Sequence, residues 1–339
     1  MKKILYISNY RKGIGGISGQ VEMLTKCIAC EDDYTTQIFS TKANPLLRIW
    51  LLLKLLWSAR QYDVLHIHAC SEWGMLPTVY GVIAGKIWHK RIIVTYHGGG
   101  AADYFVRHGK FARRWLNRAD RVIVLNGYLE KVFKEYRIPC VVIPNIIELR
   151  QNIYRFKTEI RPKLISVRTL SEMYRIDLIL QAYKQVLLIY PDATLDVLSD
   201  GDKRADLEQY VRDNHLTGVR FVGQVPNEQI YDFLQKNDIL LSAPKVDNMP
   251  VSIMEAMNAG LLAISSRVGG VPFIIEHRKS GLLFDGSKDE GVKGLTNEIL
   301  WALEHQKDSL LMIEKAHQDV QKYSWENVRK QILPLYEQI

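Results

Sequence analysis

The chain has 339 residues, 47% hydrophobic and 24% charged, which suits two globular domains and excludes a disordered or fibrous protein. Its four cysteines, Cys27, Cys30, Cys70 and Cys140, include no second C-x-x-C and no histidine pair to complete a site, so a zinc scaffold is excluded and buried reduced thiols are expected. The formal charge is +8, but residues 1–150 alone hold 22 Lys+Arg against 11 Asp+Glu, so the basic excess belongs to the first half and calls for an anionic partner there.

After Met1, the run KKILYIS reads as a strand that leads into polar Asn9. It does not read as a secretory signal, and a cytoplasmic location is expected. Gly13, Gly15 and Gly16 follow, then a helical pattern through Ile17, Val21, Leu24 and Ile28. GIGGISG fits a dinucleotide fingerprint only with one residue too many before its last glycine, so that signal is weak alone. TTQIFS is a second strand. The next stretch packs ten apolar residues into the twelve from Leu46 to Trp57. As a helix it spans only about 22 Å, short of a ~30 Å bilayer core. Arg48, Lys54 and Arg60 spread evenly round it, which leaves two readings open: a helix packed in the domain, or one dipping into a membrane interface. DVLHIHA, a strand, sets His66 and His68 on one side, and RIIVTYHGG ends with His97 at its carboxyl end, where open α/β sheets hold ligands. From Phe105 to Arg118 helical spacing gathers Arg107, Lys110, Arg114 and Arg118 within about 80°, a basic stripe suited to anionic lipid or to the phosphates of a lipid-linked acceptor. RVIVLN and CVVIPN are two further strands. The polar stretch between Glu148 and Pro162 then reads as an inter-domain linker.

The second half repeats the alternation. KLISVR, ATLDVLSDG, VRFVGQV, DILLSAP and GLLFD read as strands, and helices are expected from about Ile176, over 289–304 and 308–323, and in the tail SWENVRKQILPLYEQI. The segment DNMPVSIMEAMNAGLLAISSRVGGVP, from Asp247 to Pro272, reads as loop, helix, strand and glycine turn. A helix starting near Val251 places Glu255 in its first turns, leaves Asp247 on the loop before it, and aims backbone N–H groups forward, as a phosphate or sugar hydroxyl requires.

The acid, the seven residues to Glu255, the Ala-Met that follows and the later Val-Gly-Gly-Val-Pro resemble the donor-binding signature of family 4 glycosyltransferases. The resemblance implies the GT-B fold, two Rossmann-like doubly wound α/β domains facing across a cleft: 1–150 on the acceptor side, 151–323 binding the nucleotide sugar, and 324–339 a helix crossing back to the first. It implies retaining transfer without a metal, and no Asp-x-Asp metal loop is recognised in the chain. By the same resemblance Gly15 and Gly16 let the backbone approach the donor, His97 faces the donor sugar, and Arg168 holds the diphosphate. Tyr174 stands where the family has a lysine, and the sequence leaves open whether neighbouring Arg175 replaces it. Gly223 to Val225 border the nucleotide base. Asp247 takes hydroxyls of the transferred sugar and Glu255 those of the ribose. Asn248, Met249, Pro250 and Val251 at the helix start, with Gly269 and Gly270, complete the donor contacts.

The expected substrate is a UDP- or GDP-linked sugar. The expected acceptor is a lipid-linked oligosaccharide or polysaccharide precursor, reached from the inner face of an anionic membrane, with no further cofactor and no nucleic acid. Two other classes compete. A NAD-dependent Rossmann oxidoreductase needs an acid at the end of the second strand, which here reads FSTK. A non-catalytic basic binder of nucleic acid or membrane could use the same charge, but no nucleic-acid motif is present.

Overall fold

The computed structural model describes all residues except 13–15, 43–46, 150–152, 288–289 and 338–339, and of Arg48 the backbone only. The chain divides into two compact units: Met1–Glu148 with Tyr323–Ile339, and Leu149–Lys322.

In the first unit the apolar runs become β1 (Lys2–Ser8), β2 (Tyr34–Ser40), β3 (Val64–Ala69), β4 (Arg91–Tyr96), β5 (Arg121–Val124) and β6 (Val141–Val142). The intervening periodic segments become α1 (Gly16–Ile28), α2 (Arg48–Ala59), α3 (Leu76–Ile87), α4 (Ala101–Leu116) and α5 (Gly127–Glu135). The strands pair in parallel in the order β2-β1-β3-β4-β5-β6. Helices cover both faces, which is why the inner strands β1, β3 and β4 are buried almost throughout, while edge strand β2, YTTQIFS, alternates. Leu55, Val82, Phe105 and Phe133 from α2 to α5 pack on the side of the sheet that presents Leu5, Ile7, Leu65 and Val94. Val21, Leu24 and Ile28 of α1 pack on the opposite side, against Ile4, Tyr6 and Ile93.

The second unit holds β7 (Lys163–Val167), α6 (Ile176–Leu187), β8 (Thr194–Leu198), α7 (Arg204–Asp213), β9 (Val219–Gly223), α8 (Asn227–Leu234), β10 (Ile239–Ser242), α9 (Val251–Ala259), β11 (Leu262–Ser266), β12 (Leu282–Phe284), α10 (Gly291–Glu304) and α11 (Gln306–Val320). Its sheet runs β12-β11-β10-β7-β8-β9, all parallel. The strand order therefore reverses between β7 and β10, and it reverses in the first unit between β1 and β3. At such switch points the loops leaving the carboxyl ends diverge and open a crevice where ligands bind. The last helix, α12 (Trp325–Glu337), belongs to the first unit: Val328, Ile332 and Tyr336 pack beside α1 on the sheet.

The stretch that reads as a linker is fastened to the second unit. Ile153 and Ile160 are buried, and the Lys157 ammonium donates to the carbonyl of Asn237 at 2.9 Å and pairs with buried Asp238. A polar sequence looks like a free connector, but here the cation is satisfied internally. The thiol expectation also needs correcting, because Cys30 is exposed just beyond α1. Among the described residues no helix is long and apolar enough to cross a membrane.

Candidate functional site

Arg168 follows the last residue of β7 and Asp247 lies in the loop after β10, so the two strands that flank the second unit's switch point bring the cation and the acid together. Nη2 of Arg168 donates to Oδ2 of Asp247, and Nε donates to Oγ of Ser242 at 3.3 Å. The side chains are 12% and 16% exposed, so Arg168 and Asp247 meet at the carboxyl edge of the sheet, and Asp247 is less accessible than a loop acid suggests. A guanidinium has five N–H donors, so after these two bonds three can still reach a ligand. Asp247 Oδ1 accepts from the N–H of Asn248 at 2.8 Å, which fixes the carboxylate while leaving lone pairs on both oxygens. Tyr174, in the position of the family's lysine, stacks under the Arg168 guanidinium at 5.0 Å. The ring holds the arginine by a cation–π contact instead of adding a charge.

Arg175 is engaged with backbone carbonyls. It caps α6 in a left-handed conformation (φ 47°, ψ 54°), uncommon for a side-chain-bearing residue. Its guanidinium donates to the carbonyls of Ala243 (2.8 Å), Pro244 (3.4 Å) and Gly286. It clamps the loops after β10 and β12, which gives it a positioning role and leaves two of its five N–H donors for a ligand. Lys245 carries no signal in the sequence. Its N–H donates to the Met173 carbonyl at 2.8 Å and its ammonium pairs with exposed Glu172, so a cation from the β10 loop lies over the segment that lacks the lysine. Only the adjacency of β7 and β10, strands far apart in the chain, reveals that.

The remaining donor residues lie as follows. Helix α9 starts at Val251 with Pro250 as its N-cap, a residue that offers no side-chain cap. The N–H of Ile253 turns back to the Pro250 carbonyl at 3.2 Å, and the first N–H groups of a helix are the end that suits an anion. Asn248, Met249 and Pro250 are buried, so this loop can present backbone rather than side chains. Glu255 is half-buried in the second turn of α9. The helix ends at Gly260 in the left-handed region (φ 81°), where a Cβ would meet the Arg155 carbonyl at 2.8 Å. Gly270 does not offer its N–H to a ligand as expected, because it donates to the carbonyl of Asp247 at 3.2 Å. Gly269, with φ 48°, makes the turn.

Gly223 and Val225 lie further out, at the end of β9. The Gly223 carbonyl accepts from Ser199 at 2.7 Å, and Arg204 lies beside the glycine. The structure groups them with the β8 turn, not with Arg168 and Asp247. An Asp-x-Asp pair does stand in that turn, Asp200-Gly201-Asp202, contrary to the sequence expectation. Asp200 accepts from the Gly201 N–H at 2.8 Å and lies 3.6 Å from Arg204, and among the described residues no group of three or more His, Cys, Asp or Glu side chains could hold a metal. A Cβ on Gly201 would fall 2.2 Å from the Leu170 carbonyl, so glycine is required there. Ser199 carries φ 90° where a glycine would be unstrained. Ser199→Gly is expected to raise the unfolding free energy by about 0.5–1 kcal/mol, read as a higher denaturant midpoint at unchanged slope.

In the first unit, Gly15 lies outside the described residues, and Gly16 is the first residue of α1, with no atom within 4 Å of where a Cβ would stand. His97 closes β4, its N–H bonded to the Ala69 carbonyl at 2.8 Å. Nε2 of His97 lies 2.9 Å from Nδ1 of His68, and the rings stack at 5.2 Å; His68 stacks in turn on His66 at 4.6 Å. His66 is held between the hydroxyls of Tyr336 (2.7 Å) and Thr95 (2.8 Å). Burial pushes His66 down to about 3 and His97 down to about 4, and holds His68 well below the ordinary histidine value. A cavity of about 30 Å³ adjoins His68, Thr95 and His97. The strand pattern places His66 and His68 on one face, but the tyrosine that completes the column is 270 residues away.

Arg107, Lys110 and Arg114 are exposed on α4, but the helix kinks at His108 and ends at Leu116, so the expected four-residue stripe is interrupted and Arg118 lies beyond the helix. They are less unopposed than the spacing implies: Arg107 pairs with Glu72, while Arg118 donates to the Arg114 carbonyl and lies over Trp115.

Two doubly wound parallel sheets, one with a cation–acid pair at its switch point, define a two-domain α/β class. The match to Anabaena HepE in complex with UDP-glucose covers 100% of both chains at 18% identity with a TM-score of 0.81, and the fold is GT-B. Residues 150–319 match the family described as glycosyl transferases group 1, and residues 32–151 match glycosyltransferase family 4. The chain belongs to the glycosyl transferases group 1 family. Among its relatives are a component of the Arabidopsis thaliana phosphatidylinositol N-acetylglucosaminyltransferase, 28% identical over 208 residues, and the Corynebacterium urealyticum D-inositol 3-phosphate glycosyltransferase, 27% identical over 166 residues. The matches cover 58% and 47% of this chain and only 43% and 38% of those proteins.

Proposed function

We propose that the chain transfers a hexose-type sugar, with retention, from a nucleotide diphosphate sugar to a hydroxyl of a lipid-linked oligosaccharide or polysaccharide precursor. The observation that carries this reading is the Arg168–Asp247 pair at the switch point of the second unit, the unit in which α9 starts four residues after Asp247. A leaving diphosphate needs positive charge and N–H donors where its own charge develops, and Arg168 with the first turn of α9 supplies both. Asp247, with accepting lone pairs still open, binds sugar hydroxyls, and Glu255 binds the ribose. His97 acts at the donor sugar as a neutral imidazole, because burial keeps it uncharged at pH 7. Neither acid is a nucleophile in this scheme: the acceptor hydroxyl attacks from the leaving-group face and passes its proton to the departing phosphate. Neither a metal nor a further cofactor has a step in it.

The nucleotide named with Anabaena HepE supports UDP as the carrier, and the inositol lipid in the name of the Arabidopsis relative supports a lipid-linked acceptor. The exposed cations Arg107, Lys110, Arg114 and Arg118 suit phosphates of such an acceptor, at the cytoplasmic face of an anionic membrane. Thermal unfolding with UDP-glucose, UDP-N-acetylglucosamine, GDP-mannose and NAD, each with and without EDTA, tests the reading. A nucleotide sugar at 100 times its Kd adds about 2.7 kcal/mol, a shift of several degrees, and EDTA leaves the shift in place. Glu255→Ala is expected to abolish most of that shift and to weaken donor binding at least tenfold. A shift with NAD alone, or undiminished donor affinity in the Glu255 variant, defeats the proposal.

A further inference from the structure

We infer that α2 docks the protein on an anionic phospholipid surface, with its outward face lying in the membrane interface. The helix has the sequence RIWLLLKLLWSA, with Leu55 and Ala59 buried against the sheet. On the other side Ile49 is 73% exposed, Trp50 70%, Leu53 51% and Trp57 62%. At 100° per residue these four side chains fall within about a 100° arc. A helix of a water-exposed layer carries polar residues there, whereas one that is apolar all round is covered on both sides. Scattered exposed apolar residues are ordinary; four on one short helix, two of them tryptophans, mark an interaction site.

The patch continues along the neighbouring helix. Trp88, just beyond α3, donates its indole N–H to the Leu56 carbonyl at 2.7 Å and is itself exposed, as is Ile87. Tryptophans whose rings join an apolar surface while their N–H groups reach polar partners are suited to the level of the lipid head groups.

Charge decides what covers the patch. Arg60 stacks on Trp57 at 3.5 Å, and Lys54 stands at the edge of the same arc. Lys86 and Lys90 stand beside Trp88, and of these four cations only Lys86 faces an acid among the described residues, Asp120 at 3.8 Å. A second copy of the chain would set this basic layer against itself across a two-fold axis, which like charges oppose. Anionic head groups complement it, and the long cationic side chains can reach them while the apolar face stays buried. A helix of 12 residues, about 18 Å long, cannot span the bilayer, so it lies along the surface.

The inference concerns the first unit only and stands without the donor chemistry. The test uses the full chain with vesicles of phosphatidylcholine alone and of phosphatidylcholine with phosphatidylglycerol, read by co-sedimentation and by acrylamide quenching of tryptophan fluorescence. Binding is expected to the anionic vesicles, to weaken as salt rises, and to shield tryptophan from quenching. The double variant Trp50→Ser, Trp57→Ser is expected to partition at least tenfold more weakly. Its melting temperature and its shift with UDP-glucose should match the parent, because both rings are exposed and outside the second unit. Should that variant fold poorly, Leu53→Glu replaces it, and the quenching of the parent stands alone as a readout. Equal binding to both vesicle types, a tryptophan variant that binds as tightly as the parent, or a lipid-free dimer that the variant dissolves would overturn the inference.

Discussion

Arg168→Ala should lower kcat/KM for the nucleotide sugar by roughly ten- to a hundredfold, the equivalent of losing one or two charge-assisted contacts at about 1.5–3 kcal/mol. The guanidinium is fixed from three sides, by Ser242, by Asp247 and by the ring of Tyr174, so it meets the diphosphate without first losing freedom. Arg168→Lys should recover little, because an ammonium cannot hold Ser242 and Asp247 in one plane and still face a second oxygen. Asp247→Asn keeps the shape but releases the arginine, and is expected to reduce kcat more than donor affinity. Lys245→Ala is the informative companion. If Lys245 supplies the charge absent at Tyr174, its loss weakens donor binding severalfold, whereas Glu172→Gln, which frees the ammonium, tightens it. Steady-state kinetics and donor titrations on these variants separate the outcomes. An Arg168→Ala enzyme with parental kcat/KM would remove the diphosphate from this pocket.

The chemistry of this pocket is partly legible in the sequence, and the reason is topological. Arg168 and Asp247 each follow an apolar run of strand length, and residues directly after strands of a parallel sheet gather at its carboxyl edge whatever the loops do. The start of α9 at Val251 and the position of His97 are readable for the same reason, and so is the alternation that builds both sheets. What stays hidden depends on partners distant in sequence. Arg175 looks like a spare phosphate ligand, yet three backbone carbonyls from two other loops take three of its five donors. Gly270 looks like an open N–H, yet the carbonyl of Asp247 takes it. Lys157 looks like linker charge until Asp238 stands beside it. A cation's sequence neighbourhood reports its charge and not its counter-ion, so polar pairs across the fold escape a reading that rests on periodicity. The outward face of α2 is ambiguous for a related reason. Its apolar residues run all round, and only the packed side, Leu55 and Ala59, tells which tryptophans are left in solvent.

The histidine column predicts a steep loss of stability in mild acid. An unfolded histidine titrates near 6.5, whereas burial holds His66 at about 3, His97 at about 4 and His68 well below the ordinary value. The folded pKa values are the lower ones, so as pH falls the unfolded chain takes up protons first. The stability is therefore fully present above the unfolded value and is lost as pH drops from about 6.5 toward 4. Each neutral histidine contributes about 1.4 kcal/mol per pH unit in that window. Between pH 6.5 and 5, before most carboxylates titrate, His66 and His97 together account for roughly 3 kcal/mol, a large part of the whole stability of many domains, and His68 acts in the same direction. Half-buried His277 and His317 are also lowered by burial and steepen the same slope, so single variants assign it. Replacing His66 with glutamine, which keeps a polar group near Tyr336 and Thr95 but cannot take a proton, should lower stability at pH 7 and flatten the dependence by about one proton. The reading is urea unfolding of the parent and the variant at half-unit steps from pH 7.5 to 5. A parent midpoint that does not move over that range would mean the column is already protonated or solvated in the folded state, and His97 could then not act on the sugar as an uncharged group.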